Sequence, residues 1–204
     1  MRHIILASTS PRRTELLKTM GLEFTVVPSD FEEYLDDGRA PEEVAKELAL
    51  GKALAVAKAH PGALVIGSDT IVTINNRQLG KAENLNDARQ ILHDVTEHPN
   101  KITSSLAVVC LDEGLEYLTA ENSWVYFKPY NQEAVETYLR TGDYKDKAGA
   151  YGIQSGAAPL IDYIQGNADT IVGLPTHLLA PFLRERGYEV SPVEYSLPDE
   201  IHIR

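Results

Sequence analysis

The sequence predicts a mixed-sheet α/β or α+β fold, and three observations carry that expectation. From Ile4 to Val95, short apolar runs alternate with amphipathic segments closed by glycines and prolines, the pattern of β–α units. Between Lys101 and Phe127, two runs rich in β-branched and aromatic residues flank Asp112-Glu113-Gly114, which marks a long antiparallel hairpin. No internal repeat, low-complexity tract or linker divides the 204 residues, so residues 1–204 are expected to form one domain, at most two lobes around a shared core.

Taken in order, Ile4–Ala7 is an apolar strand, and Ser8-Thr9-Ser10 leads into a helix with Ser10 at the N-cap and Pro11 at its first position. Gly21 ends that helix and Phe24–Pro28 is a second strand. Ser29–Ala40 is acidic and turn-rich and reads as a loop. Pro41, Glu42 and Glu43 open a helix to about His60, the acids at the favourable end of its dipole. Ala63–Gly67 and Thr70–Ile74 read as strands with Ser68-Asp69 between them, followed by a turn at Asn75-Asn76. A helix is expected from about Asn86 to Val95, and another from Asn131 to Thr141 before Gly142. Asp143–Ser155 is irregular, Leu160–Ile164 and Thr170–Val172 read as strands, and Pro175 starts a last helix to Arg186.

Composition narrows the function. The formal charge is −11, from 19 basic and 30 acidic residues, which speaks against nucleic acid or an anionic membrane as a partner. Neither Leu106–Leu111 nor Leu178–Leu183 approaches the ~20 apolar residues of a spanning helix, and the amino terminus lacks a signal-peptide pattern. A single cysteine, Cys110, in an apolar run, fits inert core in a reducing cytoplasm. Any polyanion must therefore be held by a small basic pocket in an acidic protein.

Five segments could build one. In Ser8-Thr9-Ser10-Pro11-Arg12-Arg13, two arginines stand at the positive end of a helix, which suits an anion such as phosphate; the plainer alternative is two solvated arginines. Lys52 falls in a stripe with Val44, Ala45, Leu48, Ala55, Val56 and Ala59, where a cation needs an anionic partner unless its stem snorkels outward. Asp69, in Gly67-Ser68-Asp69-Thr70, is placed for a general base or metal ligand, although many such aspartates only cap turns. Lys81 follows Gly80 before a helix, and alone signals little. Asp146–Gln154 holds two close glycines and a glutamine amide able to read a nucleobase edge, or is simply a loop. The histidines show no metal-ligand spacing, and neither a Walker loop nor a Rossmann fingerprint occurs.

Together and in this order, these segments resemble the Maf family of nucleoside triphosphate pyrophosphatases. The matching pieces are LASTSPRRTELL at Leu6–Leu17, Glu33 in the acidic loop, Lys52 in GKA, SDTIV at Ser68–Val72, LGK at Leu79–Lys81, DKAGAYGIQ at Asp146–Gln154 and VGLPTHLL at Val172–Leu179. The resemblance implies a two-lobed α/β fold related to inosine triphosphate pyrophosphatases, with the site between the lobes. It implies hydrolysis of a nucleoside triphosphate to the monophosphate and pyrophosphate with a divalent cation, Mg²⁺ or Mn²⁺, held by Glu33 and Asp69. Asp69 matches the catalytic aspartate. Arg12, Thr70 and Gln154 match base-specificity positions, and Ser8, Arg13, Lys52 and Lys81 match other substrate-binding positions. AGAYGIQ resembles the branch acting on dTTP and UTP, and modified pyrimidine nucleotides fall within the same expectation. A homodimer is compatible with the family, and some members are linked to inhibition of septum formation, so a nucleotide-binding regulator of cell division is the alternative. Three positions depart from the family's usual pattern: Asn100 stands where a histidine is usual, Ala82 follows LGK, and Ser155 follows Gln154.

Overall fold

The computed structural model describes residues 1–154, 156–193, 195 and 197–204. Strand β1 (Ile4–Leu6) runs into α1 (Pro11–Thr19), then β2 (Phe24–Val26), α2 (Pro41–Ala57), β3 (Leu64–Ile74) and β4 (Arg77–Leu79). Helix α3 (Leu85–Glu97) precedes the hairpin of β5 (Asn100–Cys110) and β6 (Leu115–Phe127), then α4 (Gln132–Thr141) and β7 (Ile161–Gln165). Two helices, α5 (Ala168–Val172) and α6 (Thr176–Glu185), and β8 (His202–Ile203) complete the order. The sheet runs β2-β1-β3-β5-β6-β7-β8, with β4 also on β3. The pairs around β1 are parallel, and those from β3 through β7 are antiparallel. The mixed-sheet α/β expectation holds.

Each face of the sheet has its own core. On one, Leu6, Ile66, Leu106 and Val125 bury against Leu16, Leu17 and Met20 of the α1 segment, Leu92 of α3, Leu139 of α4 and Leu179 of α6. The other face is covered mainly by α2, through Ala49, Ala53 and Val56 against Ile5, Val65, Ala107 and Val109. This contact is close because Gly67 has no Cβ: one built there would lie 2.3 Å from the Ala49 carbonyl oxygen and 3.0 Å from the Ala53 nitrogen. The buried stripe of α2 is therefore Val44, Ala45, Leu48, Ala49, Lys52, Ala53, Val56 and Ala57, and not Ala55 and Ala59 as the helical wheel suggested.

Further sequence expectations need correction. Ser68-Asp69 does not interrupt the strand; β3 continues through both, because each of Val65–Thr73 pairs with β5. Thr170–Val172 is helical, since Asn167-Ala168-Asp169 turns the chain and the Asp169 carboxylate accepts the Thr170 N–H at 2.8 Å. The three-residue β4 and two-residue β8 are too short for a periodic signal. Ser10 does occupy the N-cap position, but its hydroxyl caps nothing; its N–H instead donates to Ser8 Oγ at 3.1 Å. Within the irregular stretch after Gly142, Ser155 lies outside the described residues.

One topological feature positions the site. On the edge of β3 opposite β5, β1 pairs with Leu64–Ile66 and β4 with Val72–Ile74. Among the described residues, Gly67–Ile71 have no strand neighbour there. The gap opens where parallel β1 ends and the chain turns away into α1, the kind of crevice in which α/β sheets bind ligands.

Candidate active site

A cleft of about 740 Å³ occupies this gap, a volume typical of small-molecule sites. Ser8, Arg12, Arg13, Glu33, Lys52, Asp69, Thr70, Lys81 and Gln154 all line it, so the structure brings together every candidate residue named from the sequence.

Lys52 and Asp69 meet because residues 65, 67, 69 and 71 of β3 alternate onto the face covered by α2. Lys52 is 5% exposed and Asp69 7%. The Lys52 ammonium donates to Asp69 Oδ1 at 2.5 Å and to Glu33 Oε1 at 2.6 Å, which answers the sequence-level question of how a cation sits in that stripe. Glu33 arrives on the acidic loop, which is tied down when the Gln78 side chain exchanges hydrogen bonds with the backbone of Asp36. Burial alone would raise the Glu33 carboxyl, but the Lys52 hydrogen bond and the charges of Lys81 and Arg13 hold it below its ordinary value.

On the other side of β3 lies the amino end of α1. Ser8 Oγ accepts from the Ser10 N–H and, at 3.3 Å, from Arg13 Nη1. The other two Arg13 nitrogens are held as well: Nε donates to the Gly173 carbonyl at 2.8 Å and Nη2 donates to Thr70 Oγ1 at 3.1 Å. Thr70 Oγ1 in turn lies 2.8 Å from Ser104 Oγ. All three acceptors are neutral. Among the described residues, no carboxylate lies within ion-pair distance of Arg13 or Arg12. Burial accordingly presses both guanidinium groups below their ordinary value, the mark of cations without enough anion beside them.

The far wall is the loop 143–154, pinned to Lys81 by a backbone bridge between Lys81 and Ala148 and by the Gly149 N–H on the Gly80 carbonyl. It brings Asp146, Lys147 and Gln154 to the cleft. Phe31 and Ile171 add apolar wall that is not legible in the sequence, because neither belongs to a periodic segment that points at the site. Tyr195, near the carboxyl terminus, was also missed; its buried hydroxyl neighbours Gln154 and Arg12. Asn100 stands apart from the cleft. Its amide donates to the Val95 and His98 carbonyls and so closes α3, a structural task.

A divalent ion of the magnesium kind is held by one or two carboxylates together with substrate phosphates and water, not by an all-protein cage. Glu33, with a side chain 56% exposed, and Asp69, whose Oδ2 accepts no hydrogen bond among the described residues, make such a set. No group of three His, Cys, Asp or Glu side chains able to hold a metal occurs among those residues. The donors therefore fit an ion that arrives with phosphate oxygens.

Comparisons with known proteins agree with this construction. A structure of the Staphylococcus aureus Ham1 protein shares the fold, with a TM-score of 0.51 at 14% identity, over 91% of this chain and 100% of that one. The chain is 40% identical to a protein of Symbiobacterium thermophilum named dTTP/UTP pyrophosphatase, over 93% of its length and 97% of the relative's. It is 42% identical to a protein of the same name from Desulforamulus reducens, over 93% and 100%. The family model described as Maf-like protein matches residues 3–186. Since that span takes in β1 to β7, all six helices and every residue lining the cleft, the chain belongs to the Maf family.

Proposed function

We propose that this protein hydrolyses dTTP and UTP, and modified pyrimidine nucleotides of similar shape, to the nucleoside monophosphate and pyrophosphate. The observation that carries the reading is the cleft itself: in a protein of charge −11, Arg12, Arg13 and Lys81 line it with no carboxylate in ion-pair contact among the described residues, beside the paired Asp69. A triphosphate supplies the missing charge. The names of the relatives point to pyrimidine bases. Residues 1–204 act in this reading as one unit, with two lobes flanking the cleft.

The phosphates lie against the amino end of α1, on Arg13, Ser8 and the free backbone N–H groups, with Lys81 opposite. Arg12, Thr70 and Gln154 stand towards the base and select it. Lys52 occupies Oδ1 of Asp69 and so orients the carboxylate towards the cleft. The Asp69 carboxylate takes the proton of a water molecule as that water forms its bond to the α-phosphorus; the bond from the α-phosphorus to the bridging oxygen breaks, and pyrophosphate leaves. Glu33 and Asp69 would hold a divalent cation, Mg²⁺ or Mn²⁺, which supplies neutralisation of the phosphate charge when bound. The protein's own part is positioning and fixed charge.

The test is a product assay. Purified protein with Mg²⁺ or Mn²⁺ is mixed with each nucleoside triphosphate, and monophosphate and pyrophosphate are quantified beside an Asp69→Asn control. Equimolar pyrimidine monophosphate and pyrophosphate, absent from the control, is the expected result; release of inorganic phosphate instead, or no turnover of any nucleotide, refutes the reading.

A further inference from the structure

The Arg13 guanidinium is held by a carbonyl rather than a carboxylate, which moves the question to what holds the carbonyl. Gly173 ends α5 at φ 119°, and both its N–H and that of Leu174 return to the Asp169 carbonyl at 3.0 and 3.1 Å. A residue with a Cβ would be strained there, and the Cβ would lie 3.0 Å from Thr70 Oγ1. The turned peptide aims its oxygen at Arg13 Nε, 2.8 Å away, and Ser68 Oγ lies 2.9 Å from the same oxygen.

The turn is spanned from outside by one carboxylate. Asp169, 6% exposed, accepts from the Thr170 N–H through Oδ1. Through Oδ2 it accepts from Thr176 Oγ1 at 2.7 Å, the His177 N–H at 3.0 Å and His177 Nδ1 at 2.9 Å. It therefore joins the first turns of α5 and α6 across Gly173-Leu174-Pro175. The far side of His177 is anchored as well: Nε2 lies 2.8 Å from Glu121 Oε2 on β6, which also accepts from Thr170 Oγ1 at 2.5 Å.

We infer that Asp169 is a positioning residue for substrate phosphate: by bridging α5 and α6 with Thr176 and His177, it fixes the Gly173 carbonyl and through it the direction of Arg13. None of these three side chains lines the cleft, so they touch no phosphate themselves, and the path tested runs through the Gly173 carbonyl to Arg13. The inference rests on the proposed phosphate role of Arg13.

The test is calorimetric binding of inorganic triphosphate to the full chain and its variants. Asp169→Asn places an NH₂ group either among the three donors at Oδ2 or against the Thr170 N–H, and is expected to weaken binding about tenfold, the scale of a lost hydrogen bond to a charged group. Thr176→Val removes a single donor and serves where Asp169→Asn does not fold; it is expected to weaken binding about threefold, and Thr176→Ser to restore it. In an Arg13→Ala background the same substitutions should change affinity by less than about twofold, the non-additivity of a shared path. Equal weakening in both backgrounds, or none in either, overturns the inference while leaving the site reading intact. If Arg13→Ala binds triphosphate as the unmodified protein does, the phosphate role of Arg13 falls and the inference with it.

Discussion

At the scale of single residues, Lys52 and Asp69 show what the sequence holds and what it withholds. A lysine inside an apolar helical stripe demands an anion, and that demand is legible without coordinates. The identity of the anions is not, because Asp69 lies on a different element and Glu33 in an aperiodic loop. Two substitutions separate the roles. Asp69→Asn keeps the shape and a hydrogen-bonding group but removes the base; turnover should fall by about 10²–10⁴ with circular dichroism and triphosphate affinity retained. Near-normal turnover would remove Asp69 from the chemistry. Lys52→Met leaves the nearly buried Asp69 charge without its partner and should cost about 3 kcal/mol of unfolding free energy, read from urea melts at neutral pH. A loss below about 1 kcal/mol would mean that water in the cleft already solvates Asp69.

At the scale of elements, legibility follows length. Long α2, β5 and β6 were readable from capping prolines, turn glycines and β-branched runs. The polar Ser68-Asp69 pair hid the continuity of β3, since only pairing with β5 shows that a strand can carry buried hydroxyl and carboxylate groups. Helix α5 was hidden because Thr170-Ile171-Val172 is β-branched, and the hydrogen bond that the Thr170 N–H donates to the Asp169 carboxylate overrides that propensity. The α2–β3 contact yields a prediction of its own. Gly67→Ala forces a methyl group onto the Ala49 carbonyl, so α2 must lift from the sheet. Overpacking of this kind costs about 1–3 kcal/mol, and here it also moves Lys52 away from Asp69, so Tm and kcat should fall together. A variant that loses stability but keeps kcat would show that the pair tolerates the shift.

At the scale of the whole molecule, the sheet gap makes a site out of segments spread from Ala7 to Val172, and the same architecture makes stability respond to pH through His177. Burial lowers the imidazole's affinity for a proton, yet Asp169 and Glu121 on its two ring nitrogens outweigh this and raise its pKa above the ordinary 6.5. Burial likewise favours the protonated Asp169, while the bonds from His177 and Thr176 outweigh it and hold the carboxyl below its ordinary 3.8. The signs then give a window. A group with a raised pKa stabilises the fold fully below its unfolded value and loses that contribution as pH rises through the folded value; a group with a lowered pKa does the reverse. The contribution of this pair is therefore largest between about pH 4 and 6.5 and declines above, as the imidazole loses a proton and one of its two carboxylates loses a donor. Comparing unfolding free energies of the unmodified protein and His177→Gln cancels the other titrating groups. The difference should be greatest near pH 5 and shrink towards pH 8.5, staying below about 2 kcal/mol because the imidazole is about one-third exposed. A difference that grows with pH would mean that His177 is held neutral, and the two carboxylates would then have to be satisfied by their other donors, Thr170, Thr176 and the backbone of residue 177.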